Sequence, residues 1–117
     1  MKTSRDPRHQ KRRNTVQKLF AYSFNPNQKD ADIHAVLDKL PEIDSKIVLA
    51  APEWPLDKIA RIDLAVMRNA IFELIKESPE PTKVIIDEAV EISKEFGNDK
   101  SSSFINGVMG TIVKGTV

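Results

Sequence analysis

The first thirteen residues, MKTSRDPRHQKRR, set Lys2, Arg5, Arg8, Lys11, Arg12 and Arg13 against Asp6 alone, a net charge of +5 with His9 in addition. The rest of the chain holds 12 basic and 16 acidic residues, a net −4. A basic arm on a mildly acidic body is a charge arrangement of nucleic-acid-binding proteins. Lysine and arginine on a helix neutralise phosphates, and the gain comes largely from released counterions, so it falls as salt rises. A second feature of the same chemistry lies near the other end. In FGNDKSSSFINGVMG, Phe96 to Gly110, a polar loop runs directly into Phe104. An exposed ring there stacks on an unpaired base, worth ~1–3 kcal/mol by alanine substitution. Each feature also has a plainer reading: the arm as a solvated terminus, Phe104 as a core residue behind a loop.

Catalytic chemistry finds little footing. The only histidines are His9 and His34, and cysteine is absent, so a zinc site would depend on scattered carboxylates. Glu73, Asp87, Glu88, Glu91 and Glu95 come without the Glu-x-x-His motif of carboxylate-bridged metal bundles, and read as a solvated face with one or two ion pairs. All four glycines lie between Gly97 and Gly115, which leaves no glycine-rich phosphate loop. Serines 101–103 lack a nearby histidine base. The expectation is a binding protein with no catalytic residues, no metal and no cofactor. Without cysteine, an apolar run long enough to span a bilayer, or a signal-peptide centre in the basic start, a cytoplasmic location fits and no membrane partner is expected.

The elements that must position these residues read as helices. With 117 residues, 40% apolar and 30% charged, the chain suits one folded domain. Pro7, capped by Asp6 or Ser4, opens a basic N-terminal helix over residues 7–24, with Val16, Leu19, Phe20 and Ser23 on one side. Its cations crowd the first two turns, where the macrodipole disfavours them by a few tenths of a kcal/mol each. Short amphipathic pieces follow over Ala31–Leu40 and Glu42–Ala51. Pro52 and Pro55 bracket Glu53-Trp54 in a tight turn expected to clamp the single tryptophan against the body as a packing anchor. Leu56–Glu77 reads as a helix broken near Asp63, whose carboxylate caps the second piece. That piece carries the stripe Leu64, Met67, Ile71, Leu74, Ile75 and is the most buried element. Arg68 and Glu73 lie among its apolar positions and need partners. Lys83–Phe96 is helical with Gly97 as the C′ residue, and Asn98 or Asp99 caps a last helix that buries Ile105, Val108, Met109 and Ile112. The fold expected is all-α: a compact bundle of about six or seven helices in one domain over 1–117.

The order of four blocks, RRNTVQKLFAYSF, EWPLDKIARIDLAVMRNAIFELI, PTKVIIDEAVEISKEFG and DKSSSFINGVMGTI, resembles the NusB family of transcription antitermination factors. The last three run almost without interruption from Glu53 to Ile112. The resemblance implies two small helical subdomains, the C-terminal one over about 53–114. It also implies binding of boxA-type single-stranded RNA in nascent ribosomal RNA, together with the ribosomal protein NusE and within the RNA polymerase antitermination complex. Carried over residue by residue, it gives Arg8, His9, Lys11, Arg12 and Arg13 of the first helix and Lys100, Ser101 and Phe104 of the last as RNA contacts. It gives Phe20 and Asp63 as NusE contacts, and implies that the chain alone self-associates through that partner-facing surface. Two departures from the pattern stand out. Lys100 replaces a commonly acidic residue, and the connection from Phe24 to Asp44 is shorter than usual, as though a helix were trimmed. A helical protein–protein adaptor with a merely solvated arm is the competing reading.

Overall fold

In the computed structural model, residues 6–115 are described. Lys2 and Arg5 of the basic arm and Ser4, the alternative cap, lie outside them. Six helices follow one another: α1 Pro7–Phe24, α2 His34–Asp38, α3 Leu40–Ala50, α4 Arg61–Ile75, α5 Thr82–Phe96 and α6 Ser101–Gly115. Two 3₁₀ turns, Ala31–Ile33 and Leu56–Lys58, lead into α2 and toward α4. Among the described residues there is no strand, and no helix is long and apolar enough to cross a membrane.

α4 is the axis of the bundle. It packs against α1, α3, α5 and α6, while α5 and α6 lie against each other and α3 covers part of α6. One continuous buried cluster joins Val16 and Leu19 of α1, Ile43 and Ile47 of α3, Met67 and Ile71 of α4, Ile85 and Ile92 of α5, and Ile105 and Met109 of α6. The 3–4 residue spacing of these side chains is what turns each helix's apolar stripe onto α4. Arg68, half-buried on α4, finds its partner on α3: a fork of two hydrogen bonds to Asp44 at 3.0 and 2.9 Å.

The helix ends show where local chemistry acts. Asp6 caps α1, accepting from the Arg8 amide at 2.8 Å with Pro7 in the first turn. A hydrogen bond from the Arg8 side chain, then the one from its amide, hold the Asp6 carboxyl below its ordinary range. α4 begins at Arg61 rather than at the expected break by Asp63. The chain reaches it through extended Ile59 and Ala60, so Asp63 falls within the first turn, and Ala60 offers no side-chain cap. α3 begins at Leu40, with Pro41 in its first turn, earlier than Glu42.

Two ends carry testable consequences. After α4, Glu77 takes φ 56°, its amide donating to the Leu74 carbonyl and the Ser78 amide to the Glu73 carbonyl. This is the Schellman closure, with a glutamate where glycine is usual. An L-residue in that left-handed conformation costs roughly 1–2 kcal/mol, so Glu77→Gly is expected to stabilise the fold by about 1 kcal/mol, read as a higher urea midpoint. Gly97 does stand at the end of α5, but not for its left-handed freedom: its φ is −95° and ψ −169°. A Cβ there would run into the Ser101 hydroxyl and meet the Ser93 carbonyl at 2.8 Å. Gly97→Ala is therefore expected to cost about 1–2 kcal/mol by overcrowding, with the α5–α6 turn shifted. Ahead of α6, the Asn98 side chain accepts from the Lys100 amide at 2.8 Å, closing the turn that leads into the helix.

Candidate nucleic-acid interface

The basic residues of α1 do not form one solvent-facing patch. Arg12 is 8% exposed and reaches inward. Its Nε and Nη2 donate to the two carboxylate oxygens of Glu73 at 2.9 and 2.8 Å, and its Nη1 donates to Glu88 Oε1 at 3.2 Å. His9 Nδ1 meets the same Glu88 oxygen at 3.2 Å, and Glu80 stands 3.8 Å from Arg12. The hydrogen bond to Glu73 raises the Arg12 pKa further, against the opposing effect of burial. Glu88 is 1% exposed, and its Oε2 is buried without a hydrogen-bond partner among the described residues. Arg12 is thus corrected from a surface cation to the centre of a buried ionic cluster. Glu88 is corrected from a solvated face to one of its counter-charges, and Glu73, expected among apolar positions and in need of a partner, finds that partner in Arg12. Desolvation explains the switch: once carboxylates of α4 and α5 are buried, a guanidinium fork is the group that satisfies two of them together.

The remaining cations of α1 are partly engaged. Arg8 is exposed but shared between Asp6 and Glu80, the latter at 3.1 Å. Arg13 forks onto Glu95 of α5, donates to Gln10 Oε1 at 3.0 Å, and lies over the Phe96 ring at 5.3 Å. Its pKa is raised, first by the hydrogen bond to Glu95. Lys11 is exposed and, among the described residues, makes no ion pair.

At the start of α6 the expected residues separate. Lys100 is exposed and, among the described residues, also makes no ion pair. Ser101 is corrected from the rim to the interior: it is 1% exposed, its Oγ accepting from the Asn98 amide at 3.0 Å to pin the turn that Gly97 makes room for. Phe104 is half-buried, its ring edge-to-face with Trp54 at 5.9 Å and 74°. Trp54 is itself 50% exposed, so the turn between Pro52 and Pro55 displays the tryptophan instead of clamping it inward. Arg13, held on the last turn of α5, is the link from α1 toward the α6 entry; Arg8, His9 and Arg12 are tied further back, at Glu80, Glu88 and Glu73.

A second surface forms where α1 ends and α4 begins. Phe20, half-buried, meets Phe24 edge-to-face at 4.9 Å, and Phe24 is 60% exposed. Arg61 lies 4.5 Å over the Phe24 ring and donates to the Ser23 carbonyl. Asp63, two residues on, is 7% exposed, and its Oδ1 is buried with no hydrogen-bond partner among the described residues. The exposed Phe24 ring and the Arg61 guanidinium over it were not singled out as site residues from the sequence. The signal for Phe24 was its position past the last buried turn, Leu19, beside Asn25-Pro26. Among the described residues, no group of three or more His, Asp or Glu side chains is arranged to hold a metal.

Comparison with known proteins places this geometry. The model of the NusB family matches residues 30–114. The transcription antitermination protein NusB of Chloroflexus aggregans is 51% identical over 73 residues, covering 61% of this chain and 49% of that protein. The one from Acetivibrio thermocellus is 33% identical over 117 residues, covering 97% of this chain and 79% of the relative. The chain spans about half the length of several curated relatives that it matches, 49–51% in three of them. Among solved structures, T. maritima NusB superposes with a TM-score of 0.85 at 30% identity, over 97% of this chain and 93% of that one. A chain in a structure of antitermination factors NusB and NusE with double-stranded RNA shares the fold, with a TM-score of 0.77 at 20% identity, over 93% and 98%.

Proposed function

The chain belongs to the NusB family, and from that premise we propose that it is an RNA-binding antitermination factor without catalytic activity. In this reading it binds boxA-type single-stranded RNA of nascent ribosomal transcripts together with NusE, and helps RNA polymerase pass terminators in the cytoplasm. The observation that carries the RNA half is the entry to α6, where half-buried Phe104 sits one turn beyond exposed Lys100, which makes no ion pair among the described residues. A ring beside a free cation matches what an unstacked base and its phosphate require. The NusB–NusE complex with RNA shares the fold, which supports both halves. For the NusE half, the support is the exposed Phe24 ring, edge-to-face with Phe20 and covered by Arg61, at the join of α1 and α4 where Asp63 also lies. The same surface would serve self-association of the isolated chain.

In this reading Lys11 and Lys100 make the phosphate contacts, Arg8 and Arg13 assist where RNA competes with Glu80 and Glu95, and Arg12 with His9 holds α1 in place. Fluorescence anisotropy with a boxA-like RNA, with and without NusE, over a salt series, tests it. Affinity is expected to fall steeply with salt, by a log–log slope of about 0.7 per phosphate contact. It is also expected to rise when NusE is added. Weak binding to any RNA, unchanged by NusE, would falsify the specific claim. One observation favours a second reading, a helical adaptor without specific RNA binding: four of the five arginine and lysine residues of α1, namely Arg8, Arg12, Arg13 and Lys18, already pair with carboxylates of the protein itself. The adaptor predicts NusE binding that barely responds to salt and no RNA binding.

A further inference from the structure

We propose that Trp54 is a second base-stacking residue, paired with Phe104, so that the entry to α6 accepts two consecutive bases or one base and its sugar. The inference rests on the RNA-binding reading above and extends it to a residue on a different element. Trp54 is the chain's single tryptophan and one of its most exposed large apolar side chains, at 50%. A tryptophan whose task is packing would be expected to turn its indole inward, since it is among the largest apolar surfaces available. Here the backbone does the reverse. Pro52 and Pro55 restrict the turn, and the Trp54 amide donates to the Ala51 carbonyl at 3.0 Å, fixing the residue at the end of α3.

The displayed indole stands at 74° to the Phe104 ring, with centroids 5.9 Å apart. Two nearly perpendicular rings cannot both stack on one flat base. They suit neighbouring units of a strand whose bases have been splayed apart, the form in which single-stranded RNA is bound on aromatic side chains. Lys100, exposed one turn before Phe104 in the sequence of the α6 entry, supplies a cation on the same segment as one of the two rings. Because each ring is supported by the other, the pair is ordered before any ligand arrives, which limits the entropy lost on binding.

Trp54 supplies its own reporter. Unlabelled boxA-like RNA is titrated into the full chain while indole fluorescence is followed; the anisotropy of the same RNA carrying a fluorophore is followed in parallel. The expected result is quenching that saturates with the anisotropy isotherm. Trp54→Ala is expected to weaken binding about 5- to 150-fold, and Trp54→Phe to retain part of it, with thermal midpoints showing both variants folded. If anisotropy reports binding while the indole signal stays flat and Trp54→Ala binds like the parent, RNA binding stands and the role of Trp54 is overturned. Quenching by added NusE and not by RNA would reassign Trp54 to a protein contact and overturn it as well. Absence of any anisotropy change removes both the RNA reading and this extension of it.

Discussion

Arg12→Ala is expected to lower the unfolding free energy by about 3–5 kcal/mol, a large share of the 5–15 typical of a small domain. The residue sits in a run of cations where a sequence reader sees an exchangeable surface charge, and exposed pairs are worth only about 0–1 kcal/mol. The geometry says otherwise. One guanidinium serves Glu73 through two hydrogen bonds and Glu88 through a third, and both acids are nine-tenths or more buried. Removing it leaves two carboxylates facing each other in the interior, with His9 the remaining close donor. Arg12→Lys is expected to recover part of the loss, because a single ammonium cannot reproduce the fork. Urea unfolding followed by circular dichroism measures it. A change within about 0.5 kcal/mol, as for an exposed pair, would show the cluster to be solvated. RNA binding by the alanine variant has to be compared where it is still folded, since unfolding would mimic loss of a contact.

Phe104→Ala is expected to weaken RNA binding by about 5- to 150-fold, the counterpart of 1–3 kcal/mol of stacking. Its cost in stability is expected to stay below the ~3–5 kcal/mol of an emptied aromatic core site. The ring is half-buried and meets Trp54 at its edge, so only part of its surface is covered on folding. Phe104→Tyr preserves the aromatic face and is expected to keep most of the affinity. The decisive measurement pairs anisotropy with thermal unfolding on the same sample. Intact affinity combined with a full core-sized loss of stability would make Phe104 a packing residue and no more.

What could be read from the sequence and what could not divide along physical lines. The span of α1, the cap at Asp6, and the inward stripes of α4, α5 and α6 follow from local rules acting within a turn or two, and the structure shows them. Arg12 was misread because its partners lie 61 and 76 residues away on other helices, and nothing in a basic run tells which cation will be drawn inward. Ser101 was misread for a related reason. Its hydroxyl closes the turn onto Asn98, and only the Gly97–Ser101 contact shows that this turn has no space to spare. Glu77 left no trace at all, since a left-handed glutamate looks like any other surface acid until its φ is known. Gly97 was placed correctly for a different reason than the one that applies.

The separation between Arg12 and its acids also bears on when the protein becomes functional. At about 5–20 residues per second, synthesis of Arg12 precedes that of Glu88, 76 residues further on, by roughly 4–15 s. Through that interval α1 lacks the α5 carboxylates that hold Arg12 and Arg13 in the folded protein. Glu73 of α4 is made first, and Glu88 and Glu95 of α5 follow. The charges of the first helix are therefore settled only when most of the chain has been made.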